Sequence, residues 1–384
     1  MANTLTDLIP DLYTALDQVS RELVGFIPSV SMDATYERAA VGQSVRSPVT
    51  QSQDAKDISP NVTPPDDGDQ TIDNVEMTIS KARRVPVRWN GEQTRGVNNN
   101  GPGQQSLLQQ QFAQGMRTLT NEVESDLAAL QSKASRAAGE AGTTPFATAD
   151  DFTAASETLK ILKDNGAPSQ DNQLIIDTTA GAKMLGKQAR VDAAGDDSIL
   201  RQGILLDVHG FAIRESAQVN SFTAGDGASA TTDTSGYAKG ATQITLASAG
   251  TGEIKAGDVI TFAGDPNQYV VTSGDTDVSD GGSITIQAPG LRQAIPSSAT
   301  EVTVVGDSAR NFAFARSAIQ LATRAPALPE GGDMADDRMT ITDPRSGLSF
   351  EVSLYRQYRQ VQYEIALAWG TQVVKPEHTA LLLG

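Results

Sequence analysis

The chain has 384 residues, of which 39% are hydrophobic, and it contains no cysteine. Its length suits two or three domains, and the lack of cysteine excludes disulfides, thiolate catalysis and cysteine-based metal sites. The formal net charge of −17 argues against sequence-specific recognition of nucleic acid, because that function needs clustered Lys and Arg to neutralise phosphates.

The first 30 residues have neither a basic start nor an apolar run long enough for a secretory signal peptide. No window of the sequence reaches the roughly 18 uninterrupted apolar residues that a membrane-spanning helix needs. We therefore expect no membrane partner, and a protein that is made and acts in a cytoplasm.

Residues 3–24 are predicted to form a short amphipathic helix that Pro28 limits. A segment of this size is not a domain by itself, so its apolar side needs a partner surface. Packing on its own chain and docking on a neighbouring subunit both stay open. The apolar side consists of Leu5, Leu8, Ile9, Leu12, Leu16, Val19 and Leu23.

The stretch 44–88 differs in character from its surroundings. Its first part, Ser44 to Gln70, is polar and rich in Pro and Asp. Two strands joined by such a tip would explain the pattern, so we predict a long hairpin that projects from the body. Alternating apolar positions follow the tip at Val75, Met77, Ile79, Val85 and Val87.

A basic run lies beside the acidic tip, at Lys81, Arg83, Arg84 and Arg88. It forms either a solvated strand face or a surface that pairs with charges of another subunit.

The strongest helical signal predicts a helix over residues 104–138, ended by Gly139 and Gly142. At 1.5 Å per residue it would be roughly 50 Å long. Gly115 and the lack of ordered charge pairs beside the stripe disfavour a coiled coil, so we predict one helix that crosses a sheet. The apolar stripe, at steps of three and four, is Leu108, Phe112, Met116, Leu119, Val123, Leu127, Leu130 and Ala134.

Residues 148–216 alternate between helix and strand and predict a mixed α/β region. Helix is predicted to resume near Asn311 to Thr323, which indicates that this region is interrupted by an insertion. The predicted helices are Asp150–Lys163 and Ala180–Arg190, and the predicted strands are Gln173–Asp177, Ile204–Asp207 and Phe211–Arg214.

Residues 219–308 have short β-like runs separated by Gly, Asp, Ser and Pro, the pattern of a small antiparallel barrel or sandwich. Ten acidic residues against three basic ones give this stretch a net charge of −7. It is predicted to be an inserted domain. The predicted strands are Gln243–Leu246, Val259–Phe262, Gln268–Thr272, Ser283–Ile286 and Glu301–Val305.

The last 45 residues are predicted to form long strands, with a turn at 343–347 before the first of them. These strands would supply the sheet that the long helix crosses. Apolar residues alternate at Leu348, Phe350, Val352 and Leu354, and again at Val361, Tyr363, Ile365, Leu367 and Trp369.

Catalytic signals are weak. The two histidines, His209 and His378, are far apart in sequence, and a lone His after a strand is more often structural than catalytic. No nucleophile elbow, P-loop, metalloprotease helix or kinase motif is present.

Two acidic clusters in the sequence are candidate metal sites. Helix capping explains Gly195-Asp196-Asp197. The loop with Asp275, Asp277 and Asp280 slightly resembles a calcium loop, but it has Ile286 where a bidentate Glu belongs. We therefore predict no enzyme, and no catalytic residue, cofactor or metal site.

The order of parts resembles the Hong Kong 97 (HK97-like) capsid fold of tailed phages and their herpesvirus and encapsulin relatives. Several local runs are similar to the coat-protein family of short-tailed Salmonella-type phages. Those runs are Asn3–Leu5, Leu8–Pro10, Gly142–Phe146, Asp164–Pro168, Leu206–Ser216, Leu321–Pro326 and Tyr358–Val361.

This resemblance implies an α+β fold with a long spine helix, an extended β-hairpin loop, axial and peripheral domains and an inserted small β-barrel or sandwich. It implies the following division: an N-terminal arm and the start of the body at 1–43, the extended loop at 44–88, the peripheral domain at 89–145 (spine helix 104–138) and 338–384, the axial domain at 146–218 and 309–337, and the inserted domain at 219–308.

The function it implies is that of a major capsid protein, which assembles as pentamers and hexamers into an icosahedral phage head around double-stranded DNA. The implied partners are a separate scaffolding protein, a portal protein, non-specifically contacted DNA and, as a further candidate, a decoration protein. The location would be the virion, assembled in the bacterial host cytoplasm. Maturation would rotate the axial and peripheral domains about hinges near Gly91, Gly139 and Gly142.

Two other readings stay open. An encapsulin-like compartment shell would have the same fold, and a β-rich binding or adhesion protein would explain the Gly- and Ser-rich insert. The lack of a signal peptide and the long helix disfavour the second.

Overall fold

The computed structural model describes residues 24–50, 55–58, 60–63, 69, 72–100, 104–148, 152–188, 207–343 and 347–384. The predicted N-terminal helix lies outside this part of the chain, apart from its last residue. So do the acidic doublet Asp196-Asp197, residues 204–206 of one predicted strand and residues 344–346 of the predicted turn.

The fold is α+β, as predicted. The described residues form four helices: α1 (Gly91–Asn100), α2 (Gln104–Ala129), α3 (Thr153–Asp164) and α4 (Thr178–Gln188). Twenty strands, numbered in chain order, form two large sheets and a separate two-stranded ribbon.

The first sheet is built around its longest strand. That strand, β19, pairs with β4 along one edge and with β18 and then β16 along the other. Strand β1 pairs in parallel with β16, and β17 pairs with β18. The members are β1 (Ser31–Ala39), β4 (Lys81–Asn90), β16 (Ile319–Pro326), β17 (Asp337–Thr342), β18 (Ser349–Gln357) and β19 (Gln360–Val373).

Helix α2 crosses the first sheet, as the apolar stripe predicted. Its buried side chains share one hydrophobic core with β18 and β19, where Phe112 meets Tyr363 edge-on at 5.4 Å between ring centroids. At Gly115 an added Cβ would lie 2.8 Å from Ile365 Cδ1, so this glycine lets the helix approach the sheet closely.

The second sheet runs in the order β7–β6–β15–β20–β5, with β8 paired to the start of β15. Helices α3 and α4 pack on it and share its hydrophobic core. The members are β5 (Arg136–Ala138), β6 (Asn172–Ile176), β7 (Phe211–Glu215), β8 (Ser221–Phe222), β15 (Ser308–Ala315) and β20 (Thr379–Leu383).

The predicted insert has its own hydrophobic core and is continuous with the second sheet, because β12 pairs with β5. Its strands are β9 (Ala230–Thr231), β10 (Gln243–Leu246), β11 (Val259–Phe262), β12 (Gln268–Ser273), β13 (Gly282–Ile286) and β14 (Glu301–Val304). The five strands predicted here from the sequence are confirmed to within one residue at each end.

The ribbon consists of β2 (Ser44–Thr50) and β3 (Ile72–Thr78), which pair antiparallel only with each other. The predicted hairpin extended to residue 88, but Val85 and Val87 belong to β4 in the first sheet. The prediction therefore assigned one strand too many to the projection.

Two helix predictions were wrong, one at its C-terminal end and the other over its whole length. The long helix ends at Ala129, and a 3-10 turn (Leu130–Lys133) and β5 follow. Leu130 and Ala134 are buried even so, because the turn and the strand keep them against the core. The hydroxyl of Ser135 donates to the Thr379 carbonyl at 2.5 Å, which favours the extended chain there.

The predicted helix Asn311–Thr323 is the end of β15 and the start of β16. Strand β15 lies between β6 and β20 and is buried on both faces, so its apolar run has no alternation. Such a run cannot be told from a buried helix by periodicity.

Two strands belong to a different sheet from the one expected from the predicted domain division. Strand β20 belongs to the second sheet, although 338–384 was expected to stay with β18 and β19. Strand β16 belongs to the first sheet, although 309–337 was grouped with the α/β region.

Candidate assembly surfaces

The residues weighed for catalysis occupy ordinary structural positions. His209 lies in a turn at φ +53, with Nδ1 3.4 Å from Ser156 Oγ. His378 ends the 3-10 turn Pro376–His378, and burial lowers its pKa. The two histidines therefore lie in two different turns.

The acidic loop of the insert is a set of turn caps. The Asp277 carboxylate accepts the Ser279 amide at 3.0 Å and its hydroxyl at 2.6 Å, and these bonds lower the Asp277 pKa. Asp275 in turn accepts the Asp277 amide at 3.0 Å. Within the described ranges, no group of three or more His, Asp or Glu side chains is placed to hold a metal ion.

Among the described side chains of the ribbon, Met77 at its root is buried and most of the others are exposed. A two-stranded hairpin is marginally stable by itself in water. At its tip, Ile58 and Val62 are 98% and 99% exposed, which is unusual for branched apolar side chains. The ribbon thus presents apolar surface that its own subunit does not cover.

The root of the ribbon is firmly packed. Met77 and Ile79 form a small buried cluster with Ala39, Ala322 and Ala368 on the first sheet. At Gly370 of β19, an added Cβ would lie 2.2 Å from the Thr78 carbonyl oxygen, so only glycine fits there. The ribbon therefore leaves the body from a fixed point.

The basic run pairs mainly within its own chain. Lys81 contacts Asp126 at 2.7 Å, Arg83 contacts Glu122 at 3.5 Å, and Arg84 contacts Glu364 at 2.6 Å. These contacts favour the strand-face interpretation over pairing with another subunit.

A groove opens at one end of the first sheet, between α1 and the turn that joins β18 to β19. It has a volume of about 1150 Å³. Tyr358 at the turn is 87% exposed, and the guanidinium of Arg359 lies 5.6 Å from its ring. Arg95 and Arg356 add positive charge, which is partly offset by Glu92 in the lining and by the contact of Arg356 with Asp336 at 3.3 Å. Trp89 and Val361 add apolar surface. The groove is suited to a ligand with both acidic and apolar groups.

Glu124 of α2 joins the two sheets. Its Oε1 accepts the amides of Gly25 at 2.6 Å and Phe26 at 2.7 Å and the Ser216 hydroxyl at 2.9 Å. Its Oε2 accepts the Ile27 amide at 3.1 Å. Burial raises the Glu124 pKa, and the hydrogen bonds act in the opposite direction.

The seam between the insert and the body contains two buried guanidinium groups. Arg136 of β5 donates to Asn267 Oδ1 at 2.9 Å, and Gln268 donates to the Gly139 carbonyl at 2.9 Å. Arg310 of β15 lies 4.8 Å from the Phe222 ring, and within the described part of the chain none of its three guanidinium nitrogens has a hydrogen-bond partner. Burial lowers the Arg310 pKa to about 10.

The expected hinge at Gly139 is held from two sides. Besides the bond from Gln268, an added Cβ at Gly139 would lie 2.9 Å from the Leu383 carbonyl oxygen. The amide of Gly142 donates to the Gly384 carbonyl at 3.3 Å. Rotation at these glycines would have to break contacts with both β20 and the insert.

The roles of Glu124 and Arg310 were not predicted from the sequence. One signal was available for Glu124: together with Thr120 it continues the apolar side of α2, where a charged residue calls for a specific partner. Its partners come from residues about 90 to 100 positions away, which no local pattern reveals.

No protein-family model matches the chain, and no curated protein sequence is similar to it. The structure is similar to several solved ones. Among them is the capsid of the cyanophage P-SCSP1u, at 12% identity, with 92% of this chain and 86% of that chain covered and a TM-score of 0.48. Another comes from Mycobacterium phage Che8, at 12% identity, 88% and 84% coverage and a TM-score of 0.45.

A virus-like particle from Pyrococcus furiosus is also similar, at 10% identity, with 98% and 99% of the two chains covered and a TM-score of 0.43. In the part of the chain that the structure describes, no helix is long and apolar enough to cross a membrane.

Proposed function

We propose that the chain is the major capsid protein of a tailed phage, with the HK97-like fold, and that it builds the closed head around double-stranded DNA. The observation that carries this proposal is the ribbon β2–β3: it is anchored at a rigid root and exposes apolar side chains at its tip. Apolar surface that its own subunit leaves uncovered favours an interaction site, and an identical subunit is the partner that repeats in a shell.

The ribbon would lie over a neighbouring subunit in the assembled head. Its tip combines apolar Ile58 and Val62 with the acidic residues Asp57 and Asp69. The groove beside α1 offers complementary chemistry, since it combines basic and aromatic side chains. Charge complementarity of this kind fixes the register between partners more than it adds affinity.

Such contacts are heterologous, because the ribbon of one subunit meets a different surface of the next. Repeated around rings of five and six subunits they close into a shell. Each contact need only be weak, since many copies act together. The charge of −17 keeps free subunits apart until these contacts form.

The finer assignment is part of the same proposal. The local runs Gly142–Phe146 and Tyr358–Val361 are among those that favour the short-tailed Salmonella-type coat family. On that basis a separate scaffolding protein guides assembly in the host cytoplasm, a portal protein occupies one vertex, and the mature protein resides in the virion. The inserted domain would stabilise its own subunit and touch its neighbours.

Polar substitution of the ribbon tip tests the proposal. Ile58→Ser together with Val62→Ser removes apolar contact area at the tip, and neither residue belongs to a hydrophobic core of the subunit. We expect the variant to fold with an unchanged circular dichroism spectrum and to sediment as free subunits where the wild type forms particles.

The matched control is Thr63→Ser, which changes a neighbouring exposed residue of the same tip and should assemble normally. Particles of wild-type size and yield from the double variant would overturn the role given to the ribbon. A folded wild type that binds a ligand but never forms particles would favour a β-rich binding protein.

A further inference from the structure

A buried strap passes between α2 and the second sheet. It consists of residues 24–30 and contains only one short 3-10 turn, Ile27–Ser29. Phe26 is buried against β15, with its ring 6.4 Å from the rings of both Phe312 and Phe314. An added Cβ at Gly25 would lie 2.6 Å from the Glu215 carbonyl oxygen, so the strap backbone touches β7 directly.

Two arginines hold the strap from the side of the second sheet. Arg316 donates to the Pro28 carbonyl at 2.7 Å, and Arg214 donates to the Ser29 hydroxyl at 2.9 Å. That hydroxyl donates in turn to the Gly25 carbonyl at 2.6 Å. These contacts and the Phe26 packing attach the strap to the second sheet without any help from α2.

The polar tie to α2 is Glu124. One carboxylate collects three consecutive backbone amides of the strap and the hydroxyl of Ser216 at the end of β7. Among the described residues, no basic side chain forms an ion pair with it. A buried carboxylate without a cation depends on its hydrogen bonds, and each lost bond leaves a buried polar group unpaired.

We propose that Glu124 is a latch that fixes the angle between α2 and the second sheet. When the carboxylate holds the strap and Ser216, the helix, the strap and the end of β7 form one unit. When it lets go, the strap stays on the second sheet through Phe26 and the two arginines, and α2 loses its polar tie to the strap and to Ser216. This assignment does not rest on the proposed function, because the latch lies within a single subunit.

The latch also sits where the chain enters the insert. Ser216 lies just before β8, and its hydroxyl accepts the Gln218 amide at 3.3 Å as well as donating to Glu124. Movement of α2 would therefore act on the first crossover to the insert. The second crossover leads into β15, against which Phe26 packs.

Hydrogen exchange of the full-length subunit tests the latch. In Glu124→Gln one acceptor oxygen becomes an NH₂ group that cannot accept the strap amides. We expect exchange of the Gly25, Phe26 and Ile27 amides to become at least tenfold faster, with exchange in the insert strands β10–β14 unchanged. The matched control is Glu122→Gln on the same helix, whose partner is Arg83 at 3.5 Å, and it should leave the strap unchanged.

Ser216→Ala is a milder second variant, because it removes one of the four donors and leaves the backbone contacts. We expect a rise of about twofold to fivefold in strap exchange and a wild-type fold. Unchanged strap protection in both variants would overturn the latch. So would a uniform rise at every amide, which would assign Glu124 a general structural role.

Discussion

At the scale of single residues, the chemistry of the molecule is concentrated in a few buried charges. Glu124, Arg136 and Arg310 are each almost inaccessible to solvent, and each lies where two parts of the fold meet. Buried charges are costly unless they are fully hydrogen-bonded. Glu124 is well satisfied and Arg310 is not, so their removal should have opposite consequences.

The pH dependence of stability should carry the signature of Glu124. Burial raises its pKa in the folded protein, so the folded state binds this proton more tightly than the unfolded chain does. Its contribution to stability is therefore full at acid pH and is lost as the pH rises from the ordinary value of 4.5 through the raised one.

Denaturant unfolding of wild type and Glu124→Gln between pH 4.5 and 8 measures this directly. We expect the wild-type advantage over the variant to shrink as the pH rises, because glutamine does not titrate. Glu122→Gln serves as the control for loss of one charge on the same helix. A constant difference across the range would contradict the raised pKa.

Arg310→Met should leave stability unchanged or increase it by about 1–2 kcal/mol, because replacing a buried unsatisfied ion by an apolar residue of similar size is often neutral or favourable. The attraction between the Arg310 guanidinium and the carboxylates of Asp258 and Asp307 stabilises the folded protein and would be lost in the variant. Chemical denaturation at pH 7 decides between them. A loss of about 3 kcal/mol or more, the range for breaking a buried pair, would show that the attraction to the aspartates dominates.

At the scale of elements, the ribbon depends on one close approach between backbones. Gly370→Ala would place a methyl carbon 2.2 Å from the Thr78 carbonyl oxygen, and no side-chain movement relieves that contact. We expect a destabilisation of about 2 kcal/mol or more, typical of overpacking at a rigid site, and faster proteolysis within the ribbon.

The control is Gly91→Ala, at a glycine whose added Cβ would meet nothing within 4 Å. It should leave the unfolding midpoint and the proteolysis pattern nearly unchanged. Equal behaviour of the two variants would mean that the ribbon root adjusts freely.

Element predictions succeeded where local pattern and environment agree. The insert strands are short runs bounded by turn residues, some of them alternating as in Gln243–Leu246, and the sequence located them closely. The stripe of α2 was equally clear. It failed to mark the end of the helix, because a 3-10 turn and a short strand bury Leu130 and Ala134 just as a helix would.

At the scale of the whole molecule, local sequence patterns could not predict which strand belongs to which sheet. Strand β20 follows β19 by six residues, yet it pairs with β15 and β5 in the other sheet. Strand β1 pairs with β16, nearly 290 residues away. Contacts of this kind are decided by packing of the complete chain, and alternation alone carries no information about the partner strand.

The insert has a core of its own, and we expect it also to stabilise the rest of the subunit. Val259 and Val270 reach into the main core, and β12 extends the second sheet. Phe222 and Ser308 are paired neighbours on antiparallel strands, so a two-residue turn can replace everything between them. We expect this excision to lower the melting temperature by about 10 °C or more, since each kcal/mol is worth a few degrees. An equal melting temperature would contradict a stabilising role.

Negative-stain electron microscopy of the purified protein tests most directly whether it assembles. The protein should be expressed alone and together with the products of the neighbouring genes, among which the proposed scaffolding protein is expected. We expect closed icosahedral shells when those products are present, and shells, tubes or spirals when they are absent. A protein that stays monomeric under both conditions would contradict the assignment as a capsid protein, and would leave the two-sheet fold and its insert to serve a binding function.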